Sequence, residues 1–291
     1  SAGLFKGNNI TAGADFLRYG GIARNILAMG GEGVLFADTA VNETGIYGFV
    51  RQEFYSIITL NAGFRLQHHS IYGNINIPAA GLAVKVSKNI NWKLSFSKGF
   101  RSPTIQELFI WNHNPDLNPE KVTNYESSLL FSSGKASIEL TGFVISGDNL
   151  IINIPMQGLR NAGTINNKGV EFAATLKPAE QIEVDVTYSY INMKQPVYAT
   201  PRHNLYGSLT WKPGKFIITS RIQYIDHLDT DATAKTSFQT YTLLNARVGY
   251  QVFDFANFYI SGENLLNQEY QTNLYYPMPG MTAFAGINFK F

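Results

Sequence analysis

The last residues of the chain alternate strictly. Met281, Ala283, Ala285, Ile287, Phe289 and Phe291 fall on one side of an extended strand, and Thr282, Phe284, Gly286, Asn288 and Lys290 on the other, because strand side chains alternate with period two. A strand of about 11 residues with one greasy and one polar side matches a tilted crossing of a lipid bilayer.

The same alternation recurs along the chain. Ile58, Leu60, Ala62, Phe64 and Leu66 oppose Thr59, Asn61, Arg65 and Gln67; Ile182, Val184, Val186, Tyr188 and Tyr190 oppose Glu183, Asp185, Thr187 and Ser189. Phe216, Ile218, Ile222 and Tyr224 oppose Thr219, Arg221 and Gln223. Charges on the polar side suit a wet lumen better than the core of a sandwich. Fourteen strands are predicted, at 8–18, 44–54, 57–69, 78–88, 90–100, 122–132, 135–153, 161–177, 181–193, 203–212, 215–228, 238–252, 255–268 and 281–291. In the span 44–54, Tyr47 and Phe49 compete with Ile46 and Val50 for the apolar face.

The connections alternate in length. Ser87-Lys-Asn-Ile90, Ser132-Ser-Gly-Lys135, Lys177-Pro-Ala-Glu-Gln181, Lys212-Pro-Gly-Lys215 and Phe253-Asp254 read as tight hairpins, rich in the residues such turns require. Longer links are expected at 19–43, 70–77, 101–121, 154–160, 194–202, 229–237 and 269–280. Short turns at one rim and long loops at the other is the layout of an outer-membrane barrel, with the short side periplasmic. The pattern predicts an all-β, antiparallel transmembrane β-barrel architecture.

Composition narrows the function classes. Apolar residues make up 45% of 291 residues, yet no apolar run is long enough for a transmembrane helix, a test that barrels escape. Phe, Tyr and Trp make up 13%, an enrichment that interfacial girdles would use. There is no cysteine and the formal charge is +2, so disulfides and thiolate metal sites are excluded and a nucleic-acid partner gains no support. The start, Ser1-Ala-Gly-Leu-Phe-Lys-Gly7, lacks the features of a secretion signal, so a mature or truncated chain is expected.

Four stretches then resemble the carboxy-terminal half of TonB-dependent outer-membrane receptors. Ser97-Lys-Gly-Phe-Arg-Ser-Pro-Thr-Ile-Gln-Glu-Leu-Phe109 is similar to that family's strand-exit motif, and Asn118-Pro-Glu-Lys-Val-Thr-Asn-Tyr-Glu126 to its re-entry motif. Asn161-Ala-Gly163 with Gly169-Val-Glu171, and Glu263-Asn-Leu-Leu-Asn-Gln-Glu-Tyr270, resemble two more. Pro279-Gly280 stands where members of the family commonly place an arginine. The resemblance implies a barrel of roughly 22 strands around an amino-terminal plug. Residues 1–291 would then be the C-terminal portion of such a barrel, with the plug and first strands absent. It implies active uptake of a scarce bulky nutrient of the ferric siderophore, haem or cobalamin class, driven by TonB acting through the plug. It implies no enzyme activity and no cofactor. The expected partners are outer-membrane lipid, TonB, the barrel-assembly machinery and a nutrient chelate.

Candidate site residues follow from the placement of the motifs. Arg101, Glu107, Glu126 and Glu171 are expected at the lumen, contacting plug or ligand, or else bracing the base of a loop. Trp111, His113, Asn114, Tyr198, Tyr275 and Tyr276 lie in the long loops, where aromatic and amide groups offer stacking area with polar handles. Phe289 and Phe291 match a terminal-aromatic assembly signal. His68 and His69 are adjacent, so on a strand they point to opposite faces and form no joint metal chelate. Ser95-Phe-Ser-Lys98 fits Ser-x-x-Lys, but it sits on a strand without its partner motifs. The alternative to a receptor is a stand-alone 14-stranded passive channel; a barrel-bound adhesin or enzyme would need loop motifs that do not occur.

Overall fold

A computed structural model describes residues 5–25, 33–110, 113–154, 156–194, 197–231 and 237–289. The strands are β1 (Asn8–Asn25), β2 (Val34–Phe54), β3 (Ile58–His69), β4 (Gly73–Lys85), β5 (Ile90–Arg101), β6 (Glu120–Ser132) and β7 (Ala136–Ile154). They continue with β8 (Gly158–Ala179), β9 (Ile182–Met193), β10 (His203–Trp211), β11 (Phe216–Asp229), β12 (Phe238–Phe253), β13 (Ala256–Glu263) and, after two short strands, β16 (Thr282–Phe289). The short pair, β14 (Gln271–Asn273) and β15 (Tyr276–Pro277), forms its own small ladder. One helix, α1 (Ile105–Phe109), follows β5. Fourteen strands form a single sheet in chain order from β1 to β13 and then β16, as the alternation of the sequence predicts. No helix of the described residues is long and apolar enough to cross a membrane.

The accessible surface is 18841 Å², whereas a compact soluble monomer of this mass exposes roughly 12,400 Å². Large apolar side chains are prominent among the exposed residues. Phe64 is 51% exposed, Ile46 60% and Ile287 57%, while few apolar side chains among the described residues are buried. A sheet with an uncovered greasy face of this extent needs lipid as its solvent on that side.

The chain forms two compact units. The first comprises residues 1–86, 92–127 and 144–166. Its β2–β3 register pairs Ile46 with Leu66, Val50 with Ala62 and Tyr47 with Arg65. Ile46 and Val50 therefore join the apolar face. Tyr47 lies on the polar face under the Arg65 guanidinium, 5.7 Å from the ring centroid. There Arg65 grips Asp15 with two 2.8 Å bonds and donates to Gln67; Gln67 and Tyr19 in turn donate to Glu43 at 3.0 and 2.6 Å. The second unit comprises residues 87–91, 128–143 and 167–291. Its apolar face carries Phe216 directly opposite Tyr250, ring centroids 4.8 Å apart.

Boundaries differ from expectation where the alternation is interrupted. Strand, not loop, occupies much of 19–43, since β1 runs to Asn25 and β2 begins at Val34. Gly20-Gly21 looks like a break, but Gly20 adopts φ +150° and the Thr39 carbonyl oxygen occupies the place of a side chain; close backbone approach requires the glycine. The 70–77 link shrinks because β4 starts at Gly73, and the strand expected over 255–268 ends at Glu263. Asn264 ends it by turning to φ 49°. The link after Phe54 is a tight turn in which Tyr55 and Ser56 both have positive φ.

Candidate functional site

The long link after β5 is organised by its own sequence. Thr104 caps α1 by accepting the Glu107 N–H at 3.2 Å, and Glu107 returns the bond by accepting the Thr104 N–H at 2.7 Å. This is a capping box, one element that the strand-and-loop expectation for 101–121 missed. Five residues are too few to hold a helix unaided. Arg101, the last residue of β5, supplies an anchor: its guanidinium donates to Glu107 at 2.9 and 3.1 Å and to Glu120 at 2.6 and 2.9 Å. Glu120 also accepts the Ile151 N–H of β7 at 2.8 Å. One arginine thus ties the end of β5, the helix, the start of β6 and β7 together. Burial pushes the Glu107 carboxyl up, but hydrogen bonds from Arg101 and Thr104 outweigh it and hold the group below the usual carboxylate range. Beside the helix, burial together with Glu107 and Glu43 pushes the Tyr72 hydroxyl up to about 12.

Leu108 and Leu117 are buried under the same loop. Asn114 donates to the Leu159 carbonyl at 2.9 Å and accepts the Asp116 N–H at 3.0 Å. Asn118 and Asn161 exchange bonds of 2.7 and 2.8 Å, and Asn161 also reaches the Asn149 carbonyl. Asn114 is therefore engaged in fixing the loop, while His113 is exposed. Trp111 lies outside the described residues.

In the second unit three loop segments are joined at the far ends of β9 to β12. Ala199 N–H donates to the Asp229 carbonyl, and Leu274 N–H to the Thr230 carbonyl, each at 2.9 Å. The Tyr198 hydroxyl donates to Asn273. Beneath them, Ile225, Leu228 and Tyr241 form a buried cluster with Leu243 and Tyr270 packed against it. Asn264 is buried at the base of the final loop; it accepts the Gln268 N–H and donates to the Gln268 and Pro279 carbonyls. On this braced platform Tyr275 and Tyr276 stand 85% and 70% exposed.

The remaining candidates lie along the strands. Glu126 accepts from Asn124 at 2.6 Å and from Ser95 at 3.4 Å. Glu171 lines a cavity of about 270 Å³ with Glu139, Thr141, Thr187, Ser189 and Asn204. Phe289 is exposed opposite Ala256, and Phe291 lies outside the described residues. His69 is buried against the Tyr72 ring, whereas His68 bonds Asn74 at 2.8 Å. Among the described residues no cluster of His, Asp and Glu has the makings of a metal site.

A family model described as TonB dependent receptor-like, beta-barrel, matches residues 1–265. The chain belongs to the TonB-dependent receptor family. Membership places it in the outer membrane, as the wall of a β-barrel. The vitamin B12 transporter BtuB of Vibrio cholerae is 26% identical over 247 residues, covering 80% of this chain and 40% of that protein. The iron-regulated outer membrane virulence protein of the same species is 25% identical over 301 residues, covering 87% and 45%. The chain thus spans less than half the length of these curated relatives. The solved siderophore receptor PirA of Acinetobacter baumannii matches with TM-score 0.77 at 14% identity, over 98% of this chain and 52% of that one; a likeness at this identity is one of fold.

Arg101 and Glu107 are legible in the sequence as site residues, whereas Glu120, although it stands in the Asn118-Pro-Glu120 motif, is not. Nineteen residues separate Glu120 from Arg101, and only strand pairing brings them together. Asn118, Asn161 and Asn264 were likewise present in the motifs without a role.

Proposed function

We propose that this chain is the C-terminal portion of the barrel of a TonB-dependent importer, with the plug and first strands lying in a part of the protein outside residues 1–291. Its cargo is a bulky nutrient chelate of the siderophore, haem or cobalamin class. The observation that carries this reading is the family match, together with coverage of less than half of each curated relative. The names of the relatives span vitamin B12, iron regulation and, in a further fold neighbour, copper, so the chelate class is drawn from the first two. In this scheme Tyr198, Tyr275 and Tyr276 of the second unit, and separately His113, Asn114 and Trp111 in the loop after β5, belong to loops that capture the ligand. Glu126 and Glu171 face the plug, Arg101 and Glu107 brace the loop beside it, and Phe289 with Phe291 addresses the assembly machinery. TonB pulls on the plug, no covalent step is involved, and the wall contributes a fixed polar lining.

The intact mass of the protein from native outer membrane tests the domain assignment. A mass near twice 32.4 kDa fits a plugged receptor, whereas one near 32.4 kDa overturns it in favour of a 14-stranded passive channel. Uptake of labelled cobalamin and of ferric siderophores, compared between cells with and without TonB, tests transport. Uptake indifferent to TonB refutes the active mechanism.

A further inference from the structure

The polar face of the second unit holds a small cavity that neither the family match nor the loop residues account for. It measures about 160 Å³ and is lined by Thr219, Arg221, Asn245, Arg247, Ser261 and Glu263 on β11, β12 and β13. Register arranges them as a grid. Arg221 is directly opposite Asn245, Thr219 opposite Arg247, and Arg247 opposite Ser261. Two arginines therefore occupy diagonal positions on adjacent strands, about 7–8 Å apart for such pairs.

Both arginines are exposed on this face, and neither forms an ion pair among the described residues, Glu263 included. Arg247 is nonetheless held in place, its guanidinium 3.6 Å over the Tyr259 ring. Asn245 is fixed as well. Its Oδ1 accepts the Asn264 N–H at 2.8 Å, which leaves both Nδ2 protons uncommitted. The cavity is thus rich in donors: two guanidinium forks, one amide NH₂ and the hydroxyls of Thr219 and Ser261, against one carboxylate at its edge. A merely hydrated wall gives no reason for two like charges to share a cavity while one is stacked and the amide between them is oriented by the backbone. Guanidinium forks match the geometry of carboxylates.

We infer that the Arg221–Asn245–Arg247 grid is a binding site for a carboxylate group. The carboxylate has two possible sources: an acidic side chain from a part of the protein outside this chain that seats against the polar face, or a soluble carboxylate-bearing ligand. The first source rests on the domain assignment proposed above, and the mass measurement tests that assignment separately.

The test uses the full-length protein from outer membranes, wild type against Arg221→Gln/Arg247→Gln. Heat-shifted gel mobility verifies the fold, and Arg221→Lys/Arg247→Lys serves as a second variant that keeps the charge but loses the forks. If the source is internal, the Gln variant accelerates hydrogen exchange about tenfold in a segment outside residues 1–291 that contains Asp or Glu, with β11–β13 unchanged and the Lys variant intermediate. If the source is soluble, exchange is unchanged and succinate titrated into the wild type binds about tenfold more tightly than to the Gln variant. Identical exchange throughout and identical succinate isotherms overturn the inference.

Discussion

Replacing Arg101 by alanine removes the group on which the loop after β5 depends. The change strips two carboxylates of their cation: Glu107, whose side chain is 22% exposed, and Glu120, 14% exposed. Two bidentate pairs of this kind would contribute several kcal/mol if dry, but the Arg101 side chain is 44% exposed. Solvent screening reduces the combined effect to about 1–2 kcal/mol. The loss is local, because α1 has only five residues and gains little from its own backbone bonds. The expected result is a 5–30-fold faster hydrogen exchange at the amides of Leu108, Ile110 and Asn114, whose acceptors are Thr104, Gln106 and Glu107. The strand amides of β5 and β6 should stay protected. The folded-state carboxyl of Glu107 lies below its ordinary value of 4.5, so its contribution is complete above about pH 4.5 and is lost as the pH falls through the depressed value. Protection at Leu108 should therefore be flat from pH 6 to 8 on the scale of that shift and fall below about pH 4.5. Unchanged exchange in Arg101→Ala, or protection that survives acid, would refute the assignment of the arginine as the loop's anchor.

Other substitutions probe separate features. Asn264→Ala leaves two carbonyls and one N–H at the base of the final loop without partners, costing about 2–4 kcal/mol; proteolysis of the loop at 265–280 should accelerate. Asn264→Asp should be no milder, since it turns an oxygen toward the Gln268 and Pro279 carbonyls. Gly169→Ala drives a methyl into the Tyr190 carbonyl and the Phe143 ring, an overpacking of about 1–3 kcal/mol that should lower the yield of heat-resistant folded barrel on gels. Tyr275→Ala/Tyr276→Ala removes exposed rings without touching the braces below. Binding of the cognate chelate should weaken at least about tenfold at unchanged stability, and unaltered affinity would remove these residues from the capture surface.

Much of this was legible because strands write their faces into the sequence. Alternation with period two located all fourteen strands of the sheet and assigned Arg65 and Arg221 to its polar side, since a one-residue slip would turn every greasy side chain to the wrong solvent. Turn chemistry located the hairpins for the same local reason. Alternation does not say which strand position lies beside which. It left Ile46 and Tyr47 undecided until the pairing of Ile46 with Leu66 settled the face, and it ended the first strand at residue 18, although pairing with β2 carries β1 on to Asn25. The capping box of α1 was written as Thr104-x-x-Glu107, but the Arg101 bond to Glu120 was not readable, because contact across a loop depends on register and loop path. The same holds for the joining of Tyr198 to Asn273 and for the grid around Arg221 and Arg247. Local chemistry determined the strands, their faces and their turns; only tertiary pairing decided which charged and aromatic side chains meet.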